Sequence, residues 1–175
     1  MLSDLLLLAP ALGVFVILLL LRSRGTTKTA APRGRTKTKG PPPNAIVVDG
    51  SNVMHWGGKG PSSKVLSRVL RSLENKGYAP FIFFDASVGY KLDDHYYDAY
   101  KLAHVTGVHA GHIRVVNKGE IADVAILAFA GDHGLRIVTN DQFRDWRVQF
   151  PHAGHKERLI KGSFREGAVR WKGRL

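Results

Sequence analysis

Acidic side chains recur directly after short apolar runs. Asp49 follows residues 45–48 (AIVV), Asp85 follows residues 80–84 (PFIFF), and Asn140-Asp141 follows residues 135–139 (LRIVT). Glu120 and Asp123 open a further apolar segment, residues 121–130 (IADVAILAFA), and at a spacing of three they share one face of a helix. Asp145 lies one turn beyond Asp141. Short apolar runs of this kind are the pattern of buried parallel strands. In such sheets ligand sites gather at the carboxyl ends of the strands, so at least four carboxylates from distant parts of the chain are expected at one edge. Two like charges about 4 Å apart repel by about 4 kcal/mol at an effective dielectric of 20. A hard divalent cation, Mg²⁺ or Mn²⁺, takes oxygen ligands and relieves that repulsion. Each acid taken singly also has a purely structural reading. Asp49-Gly50 suits a turn, Asp141 a helix N-cap, Asp145 a solvated helix position, and Asn52 an Asx-turn. The recurrence at successive strand ends is what favours chemistry.

The elements that must position these residues follow from periodicity. Residues 45–48, 80–84, 113–116 and 135–139 read as strands. Val65, Leu66, Val69, Leu70 and Leu73 repeat at helical spacing after Ser62 or Ser63, and Gly77 ends that helix. Further helices are expected from Asp93 to about Ala103, over residues 121–130 and over residues 142–150. Residues 159–164 and 168–171, separated by Arg165-Glu166-Gly167, suit a late strand or hairpin. The alternation of strand and helix implies a parallel sheet with helices on both faces.

Composition narrows the chemistry. The chain of 175 residues has no cysteine, which excludes disulfides, thiolate metal sites and a cysteine nucleophile. No GxxxxGK[ST] or GxGxxG follows a strand, so nucleotide-triphosphate and dinucleotide binding are not indicated. His109 with His112, and His152 with His155, have the spacing of ligand pairs but no clear third ligand. The net charge of +12 is unevenly spread. Residues 44–143 are neutral. Residues 144–175 carry nine basic and three acidic side chains, which suits a phosphodiester polymer.

At the amino end, residues 5–21 form an uncharged run of about 26 Å as a helix, near the lower limit for a bilayer core. Asp4 precedes it and Arg22-Ser23-Arg24 follows, which does not fit a cleaved secretory signal. The expected organisation is a transmembrane anchor at 1–21, a basic Pro/Thr-rich linker at 22–43, and a globular domain at 44–175. Residues 22–39 hold seven basic side chains and no acid, so the positive-inside rule places the domain in the cytoplasm, with the linker along anionic lipid.

The stretch Ala45-Ile46-Val47-Val48-Asp49-Gly50-Ser51-Asn52-Val53, with Ile137-Val138-Thr139-Asn140-Asp141-Gln142-Phe143-Arg144-Asp145 further on, resembles the NYN branch of PIN-like nucleases, and within it the Regnase-like ribonuclease group. Arg158-Leu159-Ile160-Lys161-Gly162-Ser163-Phe164 resembles that group's closing strand. The resemblance covers about residues 44–165. It implies a Rossmann-like three-layer α/β fold with a central parallel sheet, and metal-dependent cleavage of RNA leaving a 5′-phosphate and a 3′-hydroxyl. Carried over by motif, Asp49, Asp123 and Asp141 match the metal-binding carboxylates, Asn52 the pocket asparagine and Asp145 a further acid. Two departures stand out: Ala122-Asp123 replaces two adjacent acids, and Asp85 and Glu120 are additional acids near the site. Lys118, Arg144 and Arg147 are candidates for RNA phosphate contacts, and Trp56, Tyr90 and Trp146 for base stacking. The chain is compatible with a homodimer. A non-catalytic RNA-binding module of the same fold is the alternative. A haloacid-dehalogenase-like phosphohydrolase would need Asp-x-Asp after the first strand, which Asp49-Gly50-Ser51 lacks.

Overall fold

The computed structural model describes residues 40–175, which form one unit. The expected anchor at 1–21 and the linker as far as residue 39 lie outside the described residues. Among the described residues no helix is long and apolar enough to cross a membrane.

The chain enters at Gly40 and is tied to the sheet by the Ala45 N–H, which donates to the Pro42 carbonyl at 2.9 Å. Strand β1 (Ala45–Asp49) runs into a four-residue helix, α1 (Gly50–Val53). Helix α2 (Ser63–Glu74) follows, with Ser62 as its cap: the Ser62 hydroxyl accepts from the Val65 N–H at 3.4 Å. Its buried face is Val65, Leu66, Val69, Leu70 and Leu73, as the spacing predicts. Each such side chain contributes about 1.5–3 kcal/mol by leaving water. Strand β2 (Ala79–Phe84), helices α3 (Val88–Asp93) and α4 (Ala99–Thr106), strand β3 (Ile113–Val115), helix α5 (Ala122–Asp132), the two-residue strand β4 (Ile137–Val138), and strands β5 (Leu159–Arg165) and β6 (Ala168–Lys172) complete the order.

The sheet order is β3-β2-β1-β4-β5-β6. The first five strands are mutually parallel and β6 is antiparallel to β5. The sheet is therefore mixed, not wholly parallel as expected. The reason is the two-residue turn Glu166-Gly167, whose φ values of 52° and 76° give the primed turn that reverses a strand directly. Alternate residues of β1 feed two cores. Ile46 and Val48 pack with Leu66, Leu70 and Leu102 beneath α2 and α4. Val47 packs with Phe83, Ile126, Leu127 and Ile137 beneath α5.

Three expected elements differ. The helix expected from Asp93 to about Ala103 starts only at Ala99, because Asp93 ends α3, Asp94 is left-handed (φ 62°) and Asp98 caps α4 through the Lys101 N–H. The helix over 142–150 is absent. Phe143 at φ 46° interrupts it, and 3-10 turns at Arg144–Trp146 and Pro151–Gly154 take its place. The strand expected at 135–139 pairs only at Ile137 and Val138.

Candidate active site

Parallel strands put their carboxyl ends on one edge, and Asp49 ends β1 there. Its burial is nearly complete, at 7% exposure. Oδ1 accepts from the Asn52 N–H at 3.0 Å, capping α1, and Oδ2 accepts from the Thr139 hydroxyl at 2.9 Å. The turn after Asp49 lies tight against β2. A Cβ on Gly50 would stand 2.8 Å from Ile82 Cγ2, so glycine is required there.

Thr139 is fully buried and links two acids. Its Oγ1 also accepts from the Asp141 N–H at 3.0 Å, so one hydroxyl joins the Asp49 carboxylate to the backbone of Asp141. Asp141 Oδ1 in turn accepts from the Phe143 N–H at 2.7 Å and holds the left-handed turn. Asn140 is pinned to β5 twice: its Nδ2 donates to the Gly162 carbonyl at 2.9 Å, and its Oδ1 accepts from the Gly162 N–H at 3.2 Å. Asn52 Oδ1 accepts from Trp56 Nε1 and from the Asn140 N–H, both at 3.0 Å. Asn52, the pocket asparagine of the resemblance, thus clamps the β1 turn to the β4 turn. Asp123, in the first turn of α5, is half-buried and accepts from Trp146 Nε1 at 3.2 Å.

The neighbouring charges act on two of these acids. Burial, then the charges of Asp123 and Asp141, push the Asp49 carboxyl up to about 6 against the hydrogen bonds from Asn52 and Thr139. Asp123 is also raised, first by burial and then by Asp141. Among the described residues no cation forms an ion pair with any of the three. Nor are they gathered into a closed set of metal ligands.

The additional acids are held by partners of their own. Asp85 caps the turn before α3 by accepting from the Ser87 N–H at 2.9 Å and the Ser87 hydroxyl, and pairs with Lys91 at 3.1 Å. The Ser87, Ser51 and Lys91 bonds outweigh its partial burial and hold its carboxyl down to about 2. Glu120 is exposed and accepts from the Asn117 N–H and side-chain amide, both at 3.0 Å, which lowers its pKa. Asp145 is exposed on the turn Arg144–Trp146.

Of the stacking candidates, Trp56 is buried at 8% exposure, edge-on to Trp171. Tyr90 is 56% exposed and, with Tyr96, Asn117 and Lys118, lines a hollow of about 520 Å³ beyond the ends of β2 and β3. Arg144 and Arg147 both bond Gln142, through its side-chain oxygen at 3.1 Å and its carbonyl at 3.2 Å. His112 stacks on Phe81, and His152 bonds the Leu127 carbonyl at 3.1 Å, so both serve packing. Sequence reasoning missed Thr139 as a site residue. The only signal was a threonine closing an apolar strand directly before Asn-Asp.

The chain is similar to the family described as Zc3h12a-like Ribonuclease NYN domain, whose profile matches residues 43–170. No curated protein sequence matches it. Among solved structures it is similar to the Arabidopsis thaliana nuclear protein-only RNase P 2, at a TM-score of 0.57 and 20% identity over 74% of this chain and 29% of that one. A crystal structure of nuclear proteinaceous RNase P 2 from A. thaliana gives a TM-score of 0.55 and 18% identity, with the same shares covered. The likeness is one of fold, and the chain spans under a third of the length of those proteins.

Proposed function

The chain belongs to the Zc3h12a-like ribonuclease NYN domain family, and from that membership we propose that it is a metal-dependent ribonuclease tethered to a membrane. The observation that carries this reading is the buried Asp49 carboxylate, raised by its burial and by Asp123 and Asp141, with no cation paired to any of the three among the described residues. A protein gains nothing in fold stability from such an arrangement. The donor set is all carboxylate oxygen and carries uncompensated negative charge, which fits Mg²⁺ or Mn²⁺ and not a soft metal.

Asp49, Asp123 and Asp141 would hold the cation, directly or through water. A divalent ion bound there supplies Lewis acidity toward the scissile phosphate and stabilises charge on the leaving oxygen. The chain's own residues preorganise that centre. Each Asp49 oxygen accepts one hydrogen bond and keeps a lone pair for a further partner. Thr139 and Asn52 fix the relative placement of the β1 and β4 turns, and Trp146 orients Asp123. Arg144 and Arg147, on the turn that follows Asp141, would contact RNA phosphates.

The alternative, an RNA-binding module without activity, is disfavoured because retained acids repel the phosphates a binder must attract. The membrane tether rests on the uncharged run at 5–21 and the basic flank that follows it. The deciding experiment is cleavage of labelled single-stranded RNA with Mg²⁺ or Mn²⁺, set beside Asp49→Asn. Metal-dependent cutting lost in the variant supports the nuclease. RNA binding without cutting in the wild type supports the alternative.

A further inference from the structure

Beside the acidic centre, on the sheet face that carries α5 further along, β5 and β6 form a surface of opposite sign. Lys161 on β5 stands directly across from Lys172 on β6 in the antiparallel register. Directly opposed side chains are about 4.5–5.5 Å apart at Cβ, and like charges there are destabilising. The next pair on the same face differs: Arg170 stands across from uncharged Ser163 and is bridged to Glu166 at 2.9 Å. Lys161 and Lys172 have no such partner among the described residues. With Arg147, Lys156 and Gln142 they line a hollow of about 300 Å³ that no acidic side chain borders.

Position gives the surface its meaning. The Thr139 N–H donates to the Ile160 carbonyl at 3.0 Å, and Asn140 bonds Gly162 on both sides, so Lys161 lies alongside the turn that sets Asp141. Gln142, the residue after Asp141, is on the rim of the hollow, and the Arg147 guanidinium is fastened to its carbonyl at 3.2 Å. A chain of negative charges passing Asp141 meets these cations next.

We propose that the Lys161–Lys172 hollow binds the phosphodiester backbone of a single RNA strand on one side of the cleaved bond. The proposal rests on the nuclease reading and names where its substrate lies. Backbone phosphates relieve the opposed lysines, and the hollow offers no aromatic ring, so it grips without reading bases. The cations supply affinity and register, and the acids supply the chemistry.

The test uses the full chain in neutral detergent micelles, with single-stranded homopolymer and mixed-sequence RNA titrated at several salt concentrations. The double variant Lys161→Gln/Lys172→Gln should weaken binding of every sequence alike. It should reduce the slope of log affinity against log salt by roughly 1.4, the release expected for two single-strand phosphate contacts. KM for cleavage should rise several-fold with kcat unchanged, and Lys161→Arg/Lys172→Arg should restore both. Thermal stability should hold or rise, since a repulsive pair is removed. An unchanged slope and KM in a chain that cuts RNA would overturn the hollow and leave the nuclease standing. A lysine-dependent slope in a chain that never cuts would overturn the nuclease reading and leave RNA binding at the hollow. Loss of affinity together with stability, not restored by the arginine pair, would overturn the proposal, as would unchanged RNA binding with weaker binding of soluble dihexanoyl-phosphatidylserine.

Discussion

Asp141 has two duties that one substitution separates. Its carboxylate holds the Phe143 N–H, and in the proposed chemistry it also binds the cation. Asn keeps the accepting oxygen and loses the charge, so Asp141→Asn should fold as the wild type, bind RNA as well or better, and lose cleavage by at least a hundredfold. Turnover with Mg²⁺, salt-controlled titration and melting temperature measure the three together. Asp49 carries a pH signature. Its folded pKa of about 6 is above the 3.8 of an unperturbed aspartate, so the folded state holds a proton that the unfolded chain has released. Metal-free stability therefore falls as pH rises from about 4 to about 6 and stays lower above that. Asp49→Asn should remove this fall and gain about 1–3 kcal/mol at neutral pH, read from melts in EDTA across pH 4–8. Mg²⁺ or Mn²⁺ should raise the wild-type melting temperature and leave that variant's unmoved. At this scale the acids of the centre are legible in the sequence because each follows or opens an apolar run. The separate fate of Asp85 is not, because it depends on how the turn into α3 brings Lys91 back to it.

Elements are legible where periodicity is long and apolar. Helix α2 and strands β1 and β2 stand where their patterns put them, because local preference and burial agree. The segment after β4 is different. Its apolar and basic residues suit a helix by spacing, but the Asp141–Phe143 bond imposes a left-handed residue at Phe143, and Pro151 opens a new turn. Side-chain bonds between turns, invisible to periodicity, decide the backbone there. Asn140 is the clearest of them, standing in for a strand by pairing with Gly162 on both its N–H and its C=O. Asn140→Ala leaves both Gly162 groups short of a partner, so a loss of about 2–3 kcal/mol is expected in chemical denaturation. Because the same turn carries Asp141, cleavage should slow as well. Gly162 cannot be replaced to compensate, since a Cβ there would meet the Trp56 ring, 2.8 Å from its Cη2.

The described unit has two cores of its own, one on each face of the sheet. Residues 40–175 alone should therefore be soluble and unfold cooperatively, and aggregation without a transition would count against this. The orientation of the proposed tether has its own measurement. Protease added to right-side-out membrane vesicles should leave the domain uncut. The β5–β6 hairpin, and with it the one reversed strand, is legible from its turn residues, but its place at the β4 edge of the sheet is not, since periodicity carries no strand order.

Where the chain joins the domain has a practical consequence. It enters β1 at the amino end of the strand, and the acids stand at the other. A bead or chip that holds residues 40–175 through Gly40 grips the edge opposite those acids, and long or folded RNA should reach them unhindered. Immobilisation through residue 175 instead brings the support close behind Lys172. Two preparations differing only in the end that is fastened should therefore differ in how large an RNA they accept, and the one fastened at the leading end should accept the larger.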